Sequence, residues 1–588
     1  MYLPKNPQRP KENPFAVQKS RRFIFASCGI ALLTTGVTLY FALEKARERQ
    51  RRPEGALRQQ RTGRRVVIIG AGAAGSALAA SLTSASPELH VTVIEREKKH
   101  VFQAMVPLAH VGHRSYDLNT TGGVDFLRSP ATWNVTRDAS LVQGEVVHVD
   151  TARNEVVVVE APQSASAAAP SAAPTPLTAS AASNSASLVS RCVALLKSWW
   201  SLLGGAASSE RRRYPYDALV VACGAERTIG PLQRFISPSQ VDRYRIAVNP
   251  GITRDCLVHL FQGTVLHVKV PPASFVADGI MRYPSRQHDG TFVGTVNTIW
   301  RYLFYFNKLS LCPYIAVTAD RQPSDAFPSS LNDRILSFWR SRGVDFVNCS
   351  YLSHLDPVRS EATLYNYVTR EKRVVPYQLL LLDLPLAAPA FIRSSGLSAG
   401  TATEGFVDVH PDTMQHRVHA NVFALGDCAA LPTVKSYGAV FAQVPVVSHN
   451  VRQLLQHADE AKEAKAGAAA LTAGFARYDG YSSFHVVMTT WRAMWPELMY
   501  GKPPLRARGE GGFYTLESAP LVLTNHHLWD NLAWIDVRGF LNAAYYQLFF
   551  YEVMFYFLFT RAAWHPPSWF SVPTFSEESG ERLHGGLM

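Results

Sequence analysis

Three glycines near the start of the globular part of the sequence have the spacing that a nucleotide phosphate requires. Gly70, Gly72 and Gly75 form a GxGxxG motif between a β-branched run, RRVVII, and an alanine-rich stretch. Glycine lets the backbone turn and approach a pyrophosphate, and the following helix presents free N–H groups to the phosphates. Glu95 ends the next β-branched run, about 20 residues on, where a carboxylate holds ribose hydroxyls. The residues predicted to hold a dinucleotide here are Gly70, Gly72, Ala73, Ala74, Gly75 and Glu95.

Three further segments are predicted to return to this domain as strands. YDALVVACGA (216–225) is a buried run with a turn at Gly224, and ANVFALGDC contains Gly426 and Asp427. GEVVHVD (144–150), which includes Val147, is another β-branched run. In this order the segments resemble those of flavoproteins with two dinucleotide-binding domains. The resemblance implies that the cofactor is FAD, that Asp427 binds its ribityl chain or pyrophosphate, and that Val147 lies beside the adenine.

The second predicted domain lacks the glycine turn that a nicotinamide dinucleotide needs. Members of this superfamily that oxidise NAD(P)H carry a second GxGxxG at the start of the inserted domain. The corresponding stretch here reads TVLHVKVPPASFVADGIMRY, in which Pro271 and Pro272 obstruct such a turn. The sequence therefore argues against an NAD(P)H site, and a type II NADH:quinone dehydrogenase is kept as an alternative.

Other segments narrow the resemblance to the mitochondrial type of sulfide:quinone oxidoreductase. They are ALGDCAALPTVKSYGAVFAQ (424–443), RYDGYSSFHVVMT (477–489) and HVFQAMVPLAHVG (100–112). In that family two cysteines receive sulfide sulfur and pass two electrons to FAD, which reduces ubiquinone. The resemblance implies that Cys428 is one redox thiol, and that Lys435 places positive charge near the reduced flavin. Alternatively, Cys428 is a small buried residue of the turn and Lys435 a solvated lysine.

The second cysteine of that family has no counterpart at the expected place. The segment PPASFVADG, with Phe275, stands there instead. Cys256, Cys312 and Cys349 lie elsewhere, and each has the pattern of an ordinary buried cysteine. Any of them could supply the second thiol only if the fold brought it to the flavin. Two hypotheses follow. The chain either passes electrons from sulfide or another small reductant to ubiquinone, or it keeps the FAD fold as a structural subunit of a membrane complex.

Two segments predict contact with membrane lipid. Residues 23–43 form a 21-residue run without a charge, FIFASCGIALLTTGVTLYFAL, which is long enough to span a bilayer as a helix. A cleaved signal peptide is the alternative. Residues 540–560 are dense in Phe and Tyr and predict an interfacial, buried or spanning helix. Around Tyr545, Phe549 and Phe550 we expect the quinone entry.

The predicted fold class is α/β, with two Rossmann-like FAD/NAD(P)-binding-type domains, an N-terminal transmembrane helix and a C-terminal amphipathic membrane-associating module. An Ala/Ser/Pro-rich tract at 162–213 is predicted to be an insertion, because it has too few apolar residues to order itself. The predicted boundaries are 1–63 for the basic N-terminal segment, 64–250 and 401–455 for the two parts of the FAD-binding domain, 251–400 for the second domain and 456–588 for the aromatic module.

Charge and cysteine content exclude several other classes of protein. The formal net charge of the 588-residue chain is +13, but the excess lies largely in the first 65 residues and at Arg211, Arg212 and Arg213. We therefore expect no nucleic-acid partner. The seven cysteines show neither CxxC nor zinc-finger spacing, so neither a disulfide framework nor a metal site is expected. The Arg-rich N-terminus and the family resemblance favour the mitochondrial inner membrane, with a single-pass anchor.

Overall fold

A computed structural model describes the two nucleotide-binding-type domains of the chain and short parts of the C-terminal region. The described residues are 63–97, 100–101, 127–128, 139–160, 211–229, 232, 245–248, 257, 260–272, 275, 291–305, 308–325, 327, 329–464, 474–483, 486–489, 492–494, 497–498, 500, 573–575 and 582–584. The predicted membrane helix at 23–43, most of the 162–213 insertion and the aromatic segment at 540–560 lie outside these residues. Among the described helices, none combines the length and hydropathy of a membrane span.

The strands and helices are numbered here in chain order. The strands are β1 (Arg65–Ile69), β2 (His90–Glu95), β3 (His100–Val101), β4 (Leu127–Arg128), β5 (Ser140–Asp150), β6 (Glu155–Glu160), β7 (Arg211–Pro215), β8 (Ala218–Val221), β9 (Glu226–Arg227), β10 (Ile246–Val248), β11 (Val265–Lys269), β12 (Tyr314–Val317), β13 (Val344–Val347), β14 (Ser350–Asp356), β15 (Glu361–Asn366), β16 (Lys372–Pro376), β17 (Leu379–Asp383), β18 (Leu386–Ala387), β19 (Val422–Ala424), β20 (Ser482–Ser483), β21 (Val486–Thr489), β22 (Arg492–Met494), β23 (Glu497–Leu498), β24 (Pro573–Phe575) and β25 (Arg582–His584). The helices are α1 (Ala73–Ala85), α2 (Thr291–Tyr305), α3 (Ser329–Ser341), α4 (Ala390–Ser394) and α5 (Tyr437–Ala464), with single 3-10 turns at Gly400–Thr403 and Gly426–Cys428.

The first domain is built on a seven-stranded sheet in the order β19-β8-β1-β2-β5-β6-β7. Its first five strands are parallel, and β6 and β7 continue as an antiparallel ribbon from β5. All four residues of β8 are buried, as is typical of a parallel strand covered on both faces. Helices α1 and α5 pack against each other, with Ser81 Oγ donating to Ser448 Oγ at 2.9 Å. The carboxyl ends of β8 and β2, the two neighbours of β1, therefore lie near the start of α1.

The second domain has its own parallel sheet, in the order β10-β17-β11-β12-β13. Apolar side chains of α2 and α3 bury one face of it, and a three-stranded antiparallel sheet, β14-β15-β16, contributes to a second cluster. His267 on the central strand β11 is fully buried. Its ring nitrogens contact the Tyr314 hydroxyl at 2.6 Å and Asp383 Oδ2 at 2.7 Å, so one polar network joins β11 to both neighbouring strands.

The structure moves several predicted boundaries. Strand β10 pairs with β17, so the second domain already includes residues 246–248, which the sequence had assigned to the first. Strand β7 begins at Arg211, inside the predicted insertion, and α5 continues past residue 455 to Ala464. The arginines of β7 are partly neutralised across the ribbon: Arg212 lies 3.2 Å from Glu160, and Arg213 lies 2.9 Å from Glu155.

Candidate cofactor and redox site

The glycine turn after β1 is a close backbone crossing that permits no side chain at two positions. Gly70 has a φ of +103°, and a Cβ there would lie 2.6 Å from the carbonyl oxygen of Ala222, the residue that follows β8. A Cβ on Gly75 would lie only 1.8 Å from the Gly70 carbonyl oxygen. These two glycines therefore serve the packing of strand and helix.

By contrast, a Cβ added at Gly72 or Gly224 would meet open space. Around Gly72, which precedes α1, no heavy atom lies within 4 Å of an added Cβ, and the same is true of Gly224 at a φ of +71°. The N–H groups of the first helical turn, including those of Ala73 and Ala74, have no acceptor within the helix. The open backbone and these donors together suit a pyrophosphate.

Glu95 is held in place at the end of β2. Its Oε2 accepts the Ala71 N–H at 2.6 Å and its Oε1 accepts the Glu97 N–H at 2.8 Å. Gln143 Nε2 donates to the Glu95 carbonyl oxygen at 3.0 Å, which joins β5 to this corner. The carboxylate predicted to bind a ribose therefore lies directly beside the glycine turn.

The Gly426–Asp427 turn lies against the same helix start. Gly426 has a φ of +72°, and a Cβ there would lie 3.1 Å from the Ala74 Cβ. Its N–H donates to Gln443 Oε1 at 2.7 Å. The structure thus brings together the glycine turn, Gly224 and Asp427, which the sequence had placed in three distant segments.

The support of that turn was missed by sequence reasoning. Gln443, on α5, is 2 % exposed, and its Nε2 donates to the Tyr478 hydroxyl at 3.3 Å. The hydroxyl in turn donates to the Tyr481 carbonyl oxygen at 2.6 Å. Both ends of this link lie in segments singled out by the sequence, AVFAQ and RYDGY, but neither pattern reveals the contact.

Lys435 lies beneath the turn. Its ammonium donates to the Asp427 carbonyl oxygen at 2.6 Å and to the Ala429 carbonyl oxygen at 3.3 Å. It also lies 4.5 Å from the centroid of the Phe406 ring, and the residue is 7 % exposed. The alternative of a solvated helix lysine is therefore wrong, because this charge is buried against the backbone of the predicted cofactor turn.

Cys428 is fully buried at the end of the turn. Its thiol donates to the Val221 carbonyl oxygen at 3.2 Å and to the Leu425 carbonyl oxygen at 3.3 Å. Cys223, half-buried in the YDALVVACGA segment, lies near this thiol, and its own thiol donates to the Gly224 carbonyl oxygen at 3.8 Å. Sequence reasoning had sought a second thiol at Cys256, Cys312 and Cys349 and had overlooked Cys223.

The two thiols have opposite protonation tendencies. Interaction with the Cys428 thiol, together with burial, raises the pKa of the Cys223 thiol well above its usual range. Burial also acts to raise the pKa of Cys428. However, the interaction with Cys223, the charge of Lys435 and the Gly224 N–H outweigh it and lower that pKa below its usual value. Within the pair, Cys428 is the residue that ionises first.

Two of the other candidate cysteines, Cys312 and Cys349, lie apart from this turn. Cys312 is buried among the apolar residues under β12, and burial raises the pKa of its thiol. Cys349, which has a φ of +48°, lies between β13 and β14, where its N–H donates to the Asp320 carbonyl oxygen. Cys256 lies outside the described residues. Val147 lies at a bulge of β5, beyond the stretch paired with β2, and its contact with adenine stays a prediction.

In the second domain, side chains of the protein pack around Phe275, which follows β11, the strand that corresponds to β1. Phe275, 1 % exposed, packs edge-on against Tyr351 and Tyr367, with ring centroids at 5.8 and 5.3 Å. Lys269, the last residue of β11, binds Asp320 just after β12 at 2.5 Å, and Asp320 is 1 % exposed. An acid after the second strand is where a ribose would be held, and here it is bound to a lysine.

The fold and the glycine turn have a counterpart among known protein families. Residues 64–234 match the family model described as pyridine nucleotide-disulphide oxidoreductase. This class consists of FAD-binding oxidoreductases, and FAD is the cofactor of the chain. The residues fit it: the open backbone at Gly72 and Gly224, the Glu95 carboxylate and Asp427 surround one edge of the first sheet.

The chain is also similar to the mitochondrial sulfide:quinone oxidoreductases. It is 31 % identical to the mouse sulfide:quinone oxidoreductase over 135 residues, which cover 23 % of this chain. The matched segment covers 26 % of the mouse protein, so it represents about a quarter of that relative's length.

Two solved structures share the fold over most of the chain. The sulfide:quinone oxidoreductase of the bacterium Aquifex aeolicus has a TM-score of 0.52 at 14 % identity, covering 84 % of this chain and 95 % of its own. A chain in the mitochondrial ATP synthase structure of Tetrahymena thermophila has a TM-score of 0.54 at 16 % identity, covering 84 % and 96 %. At these identities the likeness shows the fold alone.

Proposed function

We propose that this chain is an FAD-dependent oxidoreductase that passes electrons from sulfide, or another small reductant, to ubiquinone at the mitochondrial inner membrane. The sequence relationship to mitochondrial sulfide:quinone oxidoreductases supports the type of reaction and the compartment. FAD supplies a two-electron acceptor that exchanges with both donor and quinone. Lipid contact and the quinone entry are assigned to the N-terminal segment and to the region of Tyr545, Phe549 and Phe550.

The contrast between the two domains supports a small molecule as the electron donor. The nucleotide edge of the first domain is open at Gly72 and Gly224, whereas Phe275 is packed into the second domain at the corresponding place. Moreover, the acid that would hold a nicotinamide ribose is bound to Lys269. A bulky nicotinamide dinucleotide lacks both its turn and its ribose ligand, so the donor is a small molecule. This argues against a type II NADH dehydrogenase.

The residues of the turn have distinct roles in this proposal. Gly70, Gly72 and Gly75 position the FAD pyrophosphate at the start of α1, and Glu95 holds the adjacent ribose. Asp427 binds the ribityl or pyrophosphate region. Lys435 supplies positive charge beneath the turn, which favours an anionic reduced flavin and the thiolate of Cys428. Cys428 is the proposed redox thiol.

An anaerobic titration tests the proposal. The purified, detergent-solubilised protein is mixed with sulfide while flavin absorbance is followed, and a short-chain ubiquinone is then added. We expect bleaching by sulfide, reoxidation by the quinone and no bleaching by NADH or NADPH. Flavin that stays oxidised with sulfide and is reduced rapidly by NADH would overturn the assignment of the donor.

A second candidate function is a structural subunit of a membrane complex that retains the FAD fold. The complete burial of the Cys428 thiol favours it, because hydrogen bonds to Val221 and Leu425 are also what a packing residue would make. The similar Tetrahymena chain occurs in a mitochondrial ATP synthase structure, which agrees with this candidate. Solubilised mitochondria separated on native gels decide it: a structural subunit migrates with a large complex that falls apart when the chain is removed.

A further inference from the structure

An ion pair spans the carboxyl edge of the first sheet. Arg96, the residue after β2, places its Nη1 2.6 Å from Oε1 of Glu226, the first residue of β9. In the sheet, β1 lies between β2 and β8, and β8 ends five residues before Glu226. Neighbouring strands are about 4.8 Å apart, so β2 and β8 are separated by roughly 10 Å. The pair therefore reaches across the end of β1, where the glycine turn begins.

The Arg96 end of the pair is fixed by the residues around it. Gln143 Nε2 donates to the carbonyl oxygens of Glu95 and Arg96, at 3.0 and 2.7 Å. Arg96 Nε donates to Glu97 Oε1 at 3.2 Å, and the Glu97 N–H donates to Glu95 Oε1 at 2.8 Å. One set of contacts thus positions both the guanidinium and the carboxylate that is proposed to hold the ribose.

The Glu226 end belongs to the connection between the two domains. Glu226 pairs with Ala387 of β18, the strand that follows the last strand of the second domain's parallel sheet. The adjacent Arg227 donates from Nη1 to the Leu384 carbonyl oxygen at 3.0 Å. Gly224, with its open backbone, lies two residues before Glu226. The ion pair therefore joins the ribose corner to the β9–β18 ribbon.

We propose that the Arg96–Glu226 ion pair, called here the clasp, closes the adenosine end of the cofactor groove and slows the release of FAD. In the proposed function, FAD extends from Glu95 to the Gly426–Asp427 turn, along the edge that the clasp crosses. The clasp rests on that placement of FAD and is independent of the electron donor and acceptor. Arg96 and Glu226 are positioning residues, since each acts through the other.

The opposite charges of the two residues distinguish a clasp from simple attraction of the cofactor. Arg96→Met leaves a carboxylate at the groove, and this charge repels the FAD pyrophosphate. Glu226→Gln leaves an unpaired guanidinium, which attracts the pyrophosphate. If charge alone retained FAD, Glu226→Gln would slow its release. Because both variants open the clasp, we expect both to release FAD faster.

The rate of FAD release from the holoprotein tests the clasp. The holoprotein is mixed with an excess of a flavin-scavenging apoprotein, and the change in flavin fluorescence gives the dissociation rate. Arg96→Met and Glu226→Gln should each release FAD about two- to fivefold faster than the wild type, the range that partly exposed ion pairs contribute. The double variant should release it no faster than the faster single variant, because both changes remove the same contact.

Arg65 and Asp217 provide the matched control. Their ion pair, with Arg65 Nη2 3.4 Å from Asp217 Oδ1, is also partly exposed and joins the starts of β1 and β8 at the amino edge of the same sheet. Arg65→Met should therefore leave FAD release unchanged. The apoproteins of Arg96→Met and Glu226→Gln should keep the wild-type thermal midpoint, so that faster release reports on the groove and not on unfolding.

Three results separate the clasp from its alternatives. Release from Glu226→Gln at or below the wild-type rate would overturn the clasp and leave Arg96 as an isolated cation beside the cofactor. Equally fast release from Arg65→Met and Arg96→Met would overturn it as general loosening of the sheet. Rapid release from Glu95→Gln, with wild-type rates in both clasp variants, would keep the placement of FAD and remove the clasp alone.

Discussion

The Gln443 side chain accepts the Gly426 N–H at 2.7 Å and donates to the Tyr478 hydroxyl at 3.3 Å. One buried amide thereby ties the cofactor turn to α5 and to the RYDGY segment. Replacing Gln443 by Leu would leave the Gly426 N–H without its acceptor, at a cost of about 1–3 kcal/mol. Because the turn would lose its fixed geometry, we expect FAD to bind roughly tenfold more weakly, measured by fluorescence quenching on refolding with FAD.

Two variants separate this effect from general damage to α5. Ser448→Ala removes a hydrogen bond from the same helix, that with Ser81, but lies away from the turn. It should leave FAD affinity unchanged. Tyr478→Phe should weaken FAD binding less than Gln443→Leu, since Gly426 keeps its acceptor. Equal losses in Ser448→Ala and Gln443→Leu would contradict a positioning role for Gln443.

Gly72 and Gly75 should respond differently to alanine. A Cβ at Gly75 would lie 1.8 Å from the Gly70 carbonyl oxygen, so Gly75→Ala should prevent folding of the first domain. At Gly72 the protein leaves the space open, and the residue has an ordinary φ of −67°. Gly72→Ala should therefore keep the thermal stability of the apoprotein while abolishing retention of FAD. If Gly72→Ala binds FAD normally, the pyrophosphate does not approach this backbone.

The ion pair of Lys269 with Asp320 should be an essential structural element of the second domain. Asp320 is 1 % exposed, so Lys269→Met would leave a buried carboxylate without this cation, and we expect a loss of about 3 kcal/mol in unfolding free energy. The double variant Lys269→Met/Asp320→Asn should recover most of that loss. Urea unfolding of the two variants measures the difference; a double variant as unstable as the single one would show that the charge is not the cause.

The hydrogen bonds of His416 predict that acid lowers the stability of the first domain. Its Nδ1 accepts the N–H groups of Val418 and His419, at 3.0 and 3.1 Å, while Nε2 lies 3.2 Å from the Leu397 carbonyl oxygen. This arrangement fixes the neutral ring, because a proton on Nδ1 would face two donors. Burial, together with the charge of His419, lowers the pKa of His416 below its usual value of 6.5.

The sign of the pH dependence follows from that direction. The unfolded chain takes up the proton first, so stability should fall as pH drops below about 6.5 and level off below the lower folded pKa. His416→Asn can keep an oxygen acceptor for the two N–H groups but has no proton to gain. Thermal midpoints measured from pH 7.5 downward, a range set by the roughly 6.5 reference pKa, should decline less in His416→Asn. Parallel declines would show that other groups cause the acid sensitivity.

The sequence by itself determined the local parts of the cofactor site. The prediction of the GxGxxG motif and Glu95 follows from residue types within short segments, since a phosphate turn requires a glycine backbone and a ribose site a carboxylate at a strand end. The Gly426–Asp427 turn was predicted from the family resemblance. Strands β1, β2, β8 and β11 were likewise predictable, because buried parallel strands are continuous apolar runs. The absence of a second glycine turn could also be read directly from the segment around Pro271 and Pro272.

Tertiary structure alone decided which distant side chains meet. Cys223 and Cys428 become neighbours because β8 and β19 adjoin in the sheet, and strand order cannot be deduced from the spacing of either motif. The same holds for Gln443 with Gly426 and for Lys269 with Asp320. Each pair joins residues whose local patterns suggest only a helix, a turn or a strand end. The burial and the contacts of these side chains arise only when the sheets assemble.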